Sequence, residues 1–380
     1  MKKAQWTVFL FLLFMAFAMT LKDESGATKP EESSRSPLGT SNSSSKKSLF
    51  NRYIPNLGVF KKTQSLTSEF GIKTKKKLIS GISSGSGPTQ LGISKEKDMP
   101  KLGPAAFVYL QNRNEIAVLD NENNRINFYP IDPKEQSYSR KYPKNRQALG
   151  LSLDSEGQVT LLSRQYNPES GSTYPYYEIW KLSENQMQNP WTQKGTFSFS
   201  DRATHGAAQS LVMQSFGDGL LFKGLSENEF HFLKEGAQQT LKLPGFPLKN
   251  GNYLRTSVSD ESSDVKNIQL EEINSMGVVN TLQTQEDITR LTGYRVLNNG
   301  LVALDLEADL ELKLPRQVVL IDPKDASVKA RTNMRRKENV IVEQDLFFHQ
   351  SKVFQLAETA TTQQGGKASF DVLQTDLGEQ

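Results

Sequence analysis

The stretch "EIAVLDNENNRINFYPID" (residues 115–132) decides the fold of this chain. Two runs with alternating apolar residues, "EIAVLD" and "INFYPI", flank a short segment rich in Asp and Asn. Alternation of this kind predicts β-strands. Asp and Asn favour turns, because their side chains bond nearby backbone groups and because Asn tolerates the left-handed conformation. The segment "DNENNRI" therefore predicts a hairpin turn, in which Arg125 reaches back to Asp120, and not a metal site.

Short strands of the same kind continue to the end of the chain. From Gly103 onward, short runs rich in β-branched and aromatic residues are separated by turn signals such as "DSEG", "FGDG" and "LNNG". Long segments with the 3.6-residue period of a helix are missing from the sequence, and so is an alternation of strands with helices. These features predict an all-β domain over residues 102–380.

The spacing of the turn signals favours a radially repeated fold over a sandwich or a barrel. Propeller blades take about 40–50 residues, and the first hairpins of the predicted units recur at intervals of that order. Of the two longer intervals, one contains the insertion "RQYNPESGSTYPYY" (residues 164–177), and the other contains the segment "ASVKARTNMRRKEN" (residues 326–339). Six units of three or four strands predict a six-bladed β-propeller, and the sequence leaves open which strand closes the ring. The first-hairpin turns are expected near Asn112, Ser155, Gly217, Ser262, Asn298 and Gln350.

Two segments add a resemblance to a known family. "DNENNRINFY" resembles the second half of an NHL repeat, and "LGLSLDSEGQVTLLSR" (residues 149–164) resembles the first half. Later units are equally similar to TolB-like propellers. The resemblance implies an NHL/TolB-like six-bladed propeller that binds proteins or carbohydrates. It also implies a minority alternative, either a lactonase that holds a divalent cation with carboxylates and an Asn, or a lyase that uses a histidine as an acid or base. The matching residues are Asp120, Asn123, Arg125 and Ile126 in the first segment, and Gly150, Asp154 and Gly157 in the second.

The amino terminus carries the features of an export signal. In "MKKAQWTVFLFLLFMAFAMTL" (residues 1–21), two lysines precede an apolar run, and the small residues Ala16 and Ala18 follow. This order predicts a secretory signal cleaved after Ala18, or else an uncleaved membrane anchor. Both alternatives place the rest of the chain outside the cytoplasm, in the periplasm or at the cell surface, and the anchored form stays at the inner membrane.

Composition restricts the possible chemistry. The chain of 380 residues contains no cysteine and only three histidines. The absence of cysteine excludes disulfides, thiolate nucleophiles and zinc–thiolate sites. Three histidines are too few to favour a histidine-rich metal centre. The sequence also lacks a Gly-rich phosphate loop and the HExxH motif. We therefore expect no cofactor, except a divalent cation if the chain is a lactonase-like enzyme.

Residues 22–101 predict a disordered basic linker, because they are rich in Ser, Gly, Pro and Lys. The "KTKKK" cluster is either solvated or attracts an anionic membrane or wall polymer; nucleic acid is not expected for an exported chain. An apolar patch, residues 48–60, is either a docking motif or a strap packed on the propeller. The basic cluster contributes Lys73, Lys75, Lys76 and Lys77, and the docking motif contributes Phe50, Tyr53, Ile54 and Phe60.

Two groups of residues are candidate recognition sites. The insertion at residues 164–177 is rich in tyrosine, which is favoured at interfaces and against sugar rings; packing between blades is the alternative for part of it. A polar loop before the third unit could reach the mouth of the central channel, or could simply cap a strand. The candidates are Tyr166, Tyr174 and Tyr176 in the insertion, and Asp201, Arg202 and His205 in the loop. His231 is expected on a strand and His349 in a hairpin turn.

Taken together, these features predict an exported scaffold of the cell envelope that recognises a protein or a surface glycan. One alternative is a metal-dependent propeller hydrolase or lyase. Another is a structural subunit of an envelope complex, docked through residues 48–60.

Overall fold

A computed structural model describes fifteen stretches of the chain, which all fall within one compact unit. They are residues 75–94, 101–167, 169, 172–183, 190–199, 212–223, 228–258, 266–286, 290–297, 299–307, 316–324, 327–335, 340–342, 344–359 and 368–377.

The described residues form six four-stranded antiparallel sheets, the blades of a β-propeller. This arrangement confirms the prediction of an all-β six-bladed propeller. In chain order, the strands are β1 (Lys76–Ser83), β2 (Lys101–Leu102), β3 (Ala106–Leu110), β4 (Glu115–Asp120), β5 (Arg125–Pro130), β6 (Tyr138–Lys141), β7 (Arg146–Leu153), β8 (Val159–Asn167), β9 (Ser172–Leu182), β10 (Trp191–Phe197), β11 (Val212–Phe216), β12 (Gly219–Lys223), β13 (Phe230–Lys234), β14 (Leu241–Leu243), β15 (Phe246–Pro247), β16 (Tyr253–Val258), β17 (Lys266–Asn274), β18 (Gly277–Glu286), β19 (Arg290–Val296), β20 (Val302–Glu307), β21 (Gln317–Ile321), β22 (Val328–Asn333), β23 (Val340–Ile341), β24 (Leu346–His349), β25 (Lys352–Thr359) and β26 (Ser369–Asp376).

Each blade begins with its inner strand, next to the central channel. From the inside outward, the blades are β3–β6, β7–β10, β11–β14, β15–β18, β19–β22, and finally β24, β25, β26 and β1. The short strands β2 and β23 form a separate parallel pair.

The core lies between the blades. Every residue of β4 is buried, because one face of the strand packs toward the second blade and the other toward the sixth. This two-sided burial explains why the strand is apolar at both odd and even positions. Burying a large apolar side chain contributes about 1.5–3 kcal/mol, so each junction between blades stabilises the ring. Pairs that share a cluster are Phe128 and Leu161, Tyr177 and Phe222, Leu221 and Phe246, Leu270 and Val302, Val318 and Val353, and Phe354 and Val118.

The amino-terminal strand closes the ring. β1 pairs antiparallel with β26, from Lys76 opposite Gln374 to Ser83 opposite Ser369, and so becomes the outer strand of the sixth blade. The prediction that the linker extends to residue 101 is therefore wrong for residues 76–94. The sequence "KKLISGIS" resembles a linker because an outer strand, which is partly exposed, needs few apolar residues. Of the remaining predicted linker, Lys75 immediately precedes β1 and Lys101 begins β2. Residues 22–74 and 95–100 lie outside the described residues.

The turn "DNENNRI" is built around a buried carboxylate. Asp120 is fully buried, and Arg125 Nε lies 3.1 Å from its Oδ2 atom. Asn123 Nδ2 donates to the same oxygen at 2.8 Å, and the Gly92 N–H donates to Oδ1 at 3.0 Å. Asn124 adopts the left-handed conformation at φ 53°. The predicted hairpin turn and its Arg125–Asp120 contact are therefore confirmed.

The same turn also holds a second segment of chain. Residues 84–92, which we call the latch, follow β1 and lie against β4 and β5. Arg125 Nη2 donates to the carbonyl oxygens of Gly87 at 2.8 Å and Gln90 at 2.6 Å. Only glycine fits at Gly92, where a Cβ would collide with the Cβ of Glu122. Three further bonds join Asn123 Nδ2 to Gly85 O (3.0 Å), Asn127 Nδ2 to Gln90 O (3.0 Å) and Tyr129 Oη to Thr89 O (2.7 Å).

One sequence prediction about local structure needs correction. In the fourth blade, the first hairpin joins β15 to β16 around Gly251, whereas Ser262, near which the sequence predicts this turn, lies outside the described residues. The error arises because "DESSD" is as turn-like as "LKNGN", while β15 has only two residues. The insertion at residues 164–177 is an extension of the β8–β9 hairpin, in which Tyr166 pairs with Thr173. The other five first-hairpin turns lie where the spacing predicts.

Truncation tests the role of the amino-terminal strand. We expect a chain that begins at Lys75 to unfold cooperatively in urea. A chain that begins at Leu102 loses β1 and the latch, and with them the burial of Ile82 and Leu91. Its free energy of unfolding should fall by about 5 kcal/mol. Equal urea midpoints for the two chains, measured by circular dichroism, would contradict the closure of the ring by β1.

Substitution of the buried carboxylate tests the latch. Asp120→Ala leaves Arg125 buried without its partner, which costs about 3–5 kcal/mol of unfolding free energy. The exposed control Glu135→Ala should change that free energy by less than about 0.5 kcal/mol. Urea denaturation followed by tryptophan fluorescence compares the two variants. If Asp120→Ala is no more destabilising than the control, Asp120 does not organise the latch.

Candidate functional site

Most of the candidate residues from the sequence are not part of the described structure. The tyrosines Tyr166 and Tyr174 lie on β8 and β9, and their side chains are outside it. Tyr176 is described, and its Oη donates to Gln165 Oε1 at 2.6 Å across the hairpin. Residues that lie wholly outside the described stretches are Phe50, Tyr53, Ile54, Phe60, Lys73, Asp201, Arg202, His205 and the signal segment 1–21.

The described lysines of the basic cluster belong to the edge of the sixth blade. Lys77 Nζ lies 2.8 Å from Asp371 Oδ2, so this lysine is paired within the protein. Burial, and then the charge of Arg335, lower the pKa of Lys75. Lys76 is exposed at the start of β1. Contact of the cluster with an anionic polymer stays a prediction.

Of the two described histidines, His231 is part of the core. It is completely buried on β13, as predicted for a strand residue. Its Nε2 atom lies 3.1 Å from Glu229 Oε1, and its ring meets the edge of Phe199 at 5.0 Å between centroids.

His349 is the last residue of β24, immediately before the turn at Gln350. Its Nε2 atom lies 2.7 Å from Gln111 Oε1 of the first blade. Burial and, as the smaller cause, the positive charge of Lys352 lower the pKa of His349. The residue therefore joins two blades on the inner side of the ring, although the sequence placed it within the turn.

A buried arginine network joins the fifth and sixth blades. Arg316 Nη2 lies 2.6 Å from Asp305 Oδ2 and 3.1 Å from Asp345 Oδ1. Burial opposes the charge of Arg316, but the hydrogen bonds and charges of Asp305 and Asp345 outweigh it and raise its pKa. The charge of Arg316 is paired with both carboxylates, so we interpret the network as a structural contact between the two blades.

A cleft of about 540 Å³ opens between the second and third blades. One wall consists of β8, β9 and β10, and the other of β11, β12 and β13. The backbone closes it on the outside, where the Ser198 N–H donates to Gln238 O and the Thr240 N–H donates to Ser198 O, both at 3.0 Å. We call this space the blade 2–3 cleft.

The floor of the blade 2–3 cleft is apolar. Ile179 and Phe197 come from the second blade, and Leu220 and Leu233 from the third. All four belong to, or pack against, the apolar cluster that joins these two blades. A side chain entering the cleft would therefore displace water from an apolar surface.

The mouth of the cleft is charged. Lys181 Nζ lies 2.6 Å from Asp154 Oδ2 and 2.8 Å from Glu156 Oε2. These hydrogen bonds, first that of Asp154 and then that of Glu156, raise the pKa of Lys181. Lys234 and Asp218 lie 3.7 Å apart on the opposite wall. These ion pairs involve most, but not all, of the charged residues at the rim of the cleft.

Two rim charges are left over. Lys194 is the extra residue of the bulge in β10, between Gln193 and Gly195. Glu235 lies in the turn between β13 and β14 on the facing wall. Both side chains are exposed, and neither forms an ion pair within the described part of the chain. The cleft thus presents a cation on one wall and an anion on the other, above an apolar floor.

Sequence reasoning missed this cleft. The turn signals "DSEG" and "FGDG" supply part of its lining, but they were informative only as turns. Nothing in the sequence shows that turns of two different blades meet.

Among the described residues, no group of three or more His, Cys, Asp or Glu side chains is placed to hold a metal ion. Across the same stretches, no helix has both the length and the apolar character needed to cross a bilayer.

Comparison with known proteins finds only distant structural likeness. No family model matches the chain, and no curated protein matches it. Among solved structures, the chain is similar to a gluconolactonase-like protein, with 12% identity and a TM-score of 0.40 over 83% of this chain and 99% of that one. It is also similar to virginiamycin B lyase from Staphylococcus aureus, with 8% identity and a TM-score of 0.36 over 80% and 98%. A protein of unknown function from Bacteroides caccae has 11% identity and a TM-score of 0.36 over 64% and 92%.

The lowered pKa of His349 predicts a pH effect. In an NMR titration, His349 should titrate below its usual value of 6.5, and Lys352→Gln should raise that pKa part of the way, because burial remains. The unfolded chain binds the proton more readily, so this group reduces stability as pH falls through 6.5 toward the folded pKa. The remote control Lys324→Gln should leave the titration unchanged. A pKa at or above 6.5 would contradict the described environment.

Proposed function

We propose that this protein is an exported binding scaffold of the cell envelope, which recognises a protein partner in the blade 2–3 cleft. The signal features of residues 1–21 and the linker composition upstream of β1 support export and presentation away from a membrane. The residues of the "DNENNRINFY" hairpin support a place among NHL- and TolB-like propellers.

The charge pattern of the cleft carries the proposal. An extended peptide can place an apolar side chain on the floor of the cleft, with a carboxylate near Lys194 and a cationic group near Glu235. These two charges are exposed and unpaired within the described residues, so a ligand can pair with them without first breaking an internal ion pair. Charge complementarity of this kind orients a partner and selects against others.

The floor of the cleft favours a peptide over a glycan. Sugar rings are bound mainly against exposed aromatic faces, whereas Phe197 is only 2% exposed. Its ring is already stacked on Tyr177 of the adjacent strand β9 and on Phe222 of the third blade. Aliphatic side chains such as Leu220 are suited to the apolar groups of a peptide.

Site-directed photo-crosslinking tests the proposal. We expect the full chain with a photoreactive phenylalanine at Gln238, on the rim of the cleft, to form a discrete adduct with an envelope protein. The matched position Arg140, on the outer strand of the first blade, should not form this adduct. Identification of the adduct by mass spectrometry gives the partner.

Charge reversal provides the control. Lys194→Glu makes both walls of the cleft negative and should reduce the adduct at least about tenfold, the effect of a loss of about 1.4 kcal/mol. Lys134→Glu, an exposed change in the first blade, should leave the adduct unchanged. Equal adducts at positions 238 and 140, or equal loss in both charge variants, would overturn the cleft as the binding site.

A further inference from the structure

Several arginines with little exposure are paired with carboxylates in this propeller. Arg125 contacts Asp120, and Arg146 contacts Glu178. Arg316 lies between two aspartates, as described above. Pairing is expected, because an arginine removed from water needs an anion to offset its lost hydration.

Arg295 departs from this pattern. It lies on the inner strand β19, opposite Ala303 of β20. Within the described residues, its guanidinium forms no hydrogen bond and no ion pair. Among those residues, the guanidinium makes one electrostatic contact, a cation–π contact with the ring of Phe348. The ring centroid lies 5.8 Å from the guanidinium carbon.

The surroundings of Arg295 place its side chain at the inner edge of the ring. Ala303 packs in the cluster between the fifth and sixth blades, and Phe348 lies on β24, the inner strand of the sixth blade. The guanidinium therefore lies between two neighbouring inner strands. Arg295 is still partly exposed, so a small solute can reach it.

The electrostatics of this position are unbalanced. Burial lowers the pKa of Arg295 to about 10, so the group remains charged at neutral pH. A contact with an aromatic face compensates only part of the cost of removing a guanidinium from water. The planar guanidinium has donors arranged as a fork, which fits the two oxygens of a carboxylate or phosphate.

We propose that Arg295 is the anchor of an oxyanion-binding site in the central channel, which takes the carboxylate or phosphate group of a small ligand. Phe348 forms one side of the site. The site is separate from the blade 2–3 cleft and does not depend on the function proposed for that cleft.

Thermal unfolding of the full chain in different sodium salts tests this site. At equal ionic strength, phosphate or acetate should raise the Tm of the wild-type chain by about 2 °C relative to chloride. Arg295→Gln should abolish the rise. Arg140→Gln is the matched control, because Arg140 also lies over an aromatic ring, that of Tyr138, but on an outer strand. A response to acetate identifies carboxylate binding, and a response to phosphate alone identifies phosphate binding.

Two outcomes would overturn the site. One is the absence of any rise in the wild-type chain with either anion. The other is the same rise in Arg295→Gln, because general salt effects on the protein surface do not depend on one side chain. If Arg295→Gln does not fold, NMR of the wild-type chain replaces it. The Arg295 Nε–H resonance should then shift in a saturable way with the same anions, and an unchanged resonance would refute the proposal.

Discussion

The pairing of β1 with β26 is the contact on which the rest of the structure depends. A ring of blades has no free end only if its two chain ends meet, and here they meet across 290 residues, with the Gly81 N–H donating to Asp371 Oδ1 at 3.0 Å. The chain has no cysteine, so burial and hydrogen bonds alone offset the entropy of closing so long a loop. The latch reinforces closure, because Arg125 and Asp120 hold the backbone that follows β1. Closure in turn bears on the two proposed sites, since the cleft lies between two blades and Arg295 lies between two neighbouring inner strands.

The fold was largely predictable from local patterns. Alternating strands, turn residues and blade-length spacing all act over a few residues, and five first-hairpin turns lie where they indicate. The turn "DNENNRI" was predicted correctly as turn chemistry. The binding of the latch backbone by this turn was not predicted, because the latch belongs to a segment with the composition of a linker. The Ser and Gly residues of that segment do not themselves predict order, because the hydrogen bonds that hold it come from side chains at the β4–β5 turn and on β5.

The two proposed sites were not predictable from the sequence, because the residues that form each of them are far apart along the chain. Lys194 and Glu235 gain meaning only when the second and third blades stand side by side. Arg295 is an ordinary strand residue in the sequence, and only the described surroundings show that it faces a ring of Phe348 without a carboxylate. In contrast, the aromatic cluster that drew attention in the sequence extends a hairpin, where Tyr176 bonds within its own blade.

Hydrogen–deuterium exchange across residues 76–92 tests the central claim most directly, namely that the amino-terminal strand and the latch are integral to the ring. Strand amides that are hydrogen-bonded in a cooperative unit open only when that unit opens. The account predicts that peptides covering β1 and the latch exchange as slowly as those covering β26. Exchange of residues 76–92 at the rate of an unfolded chain, while β26 remains protected, would contradict it.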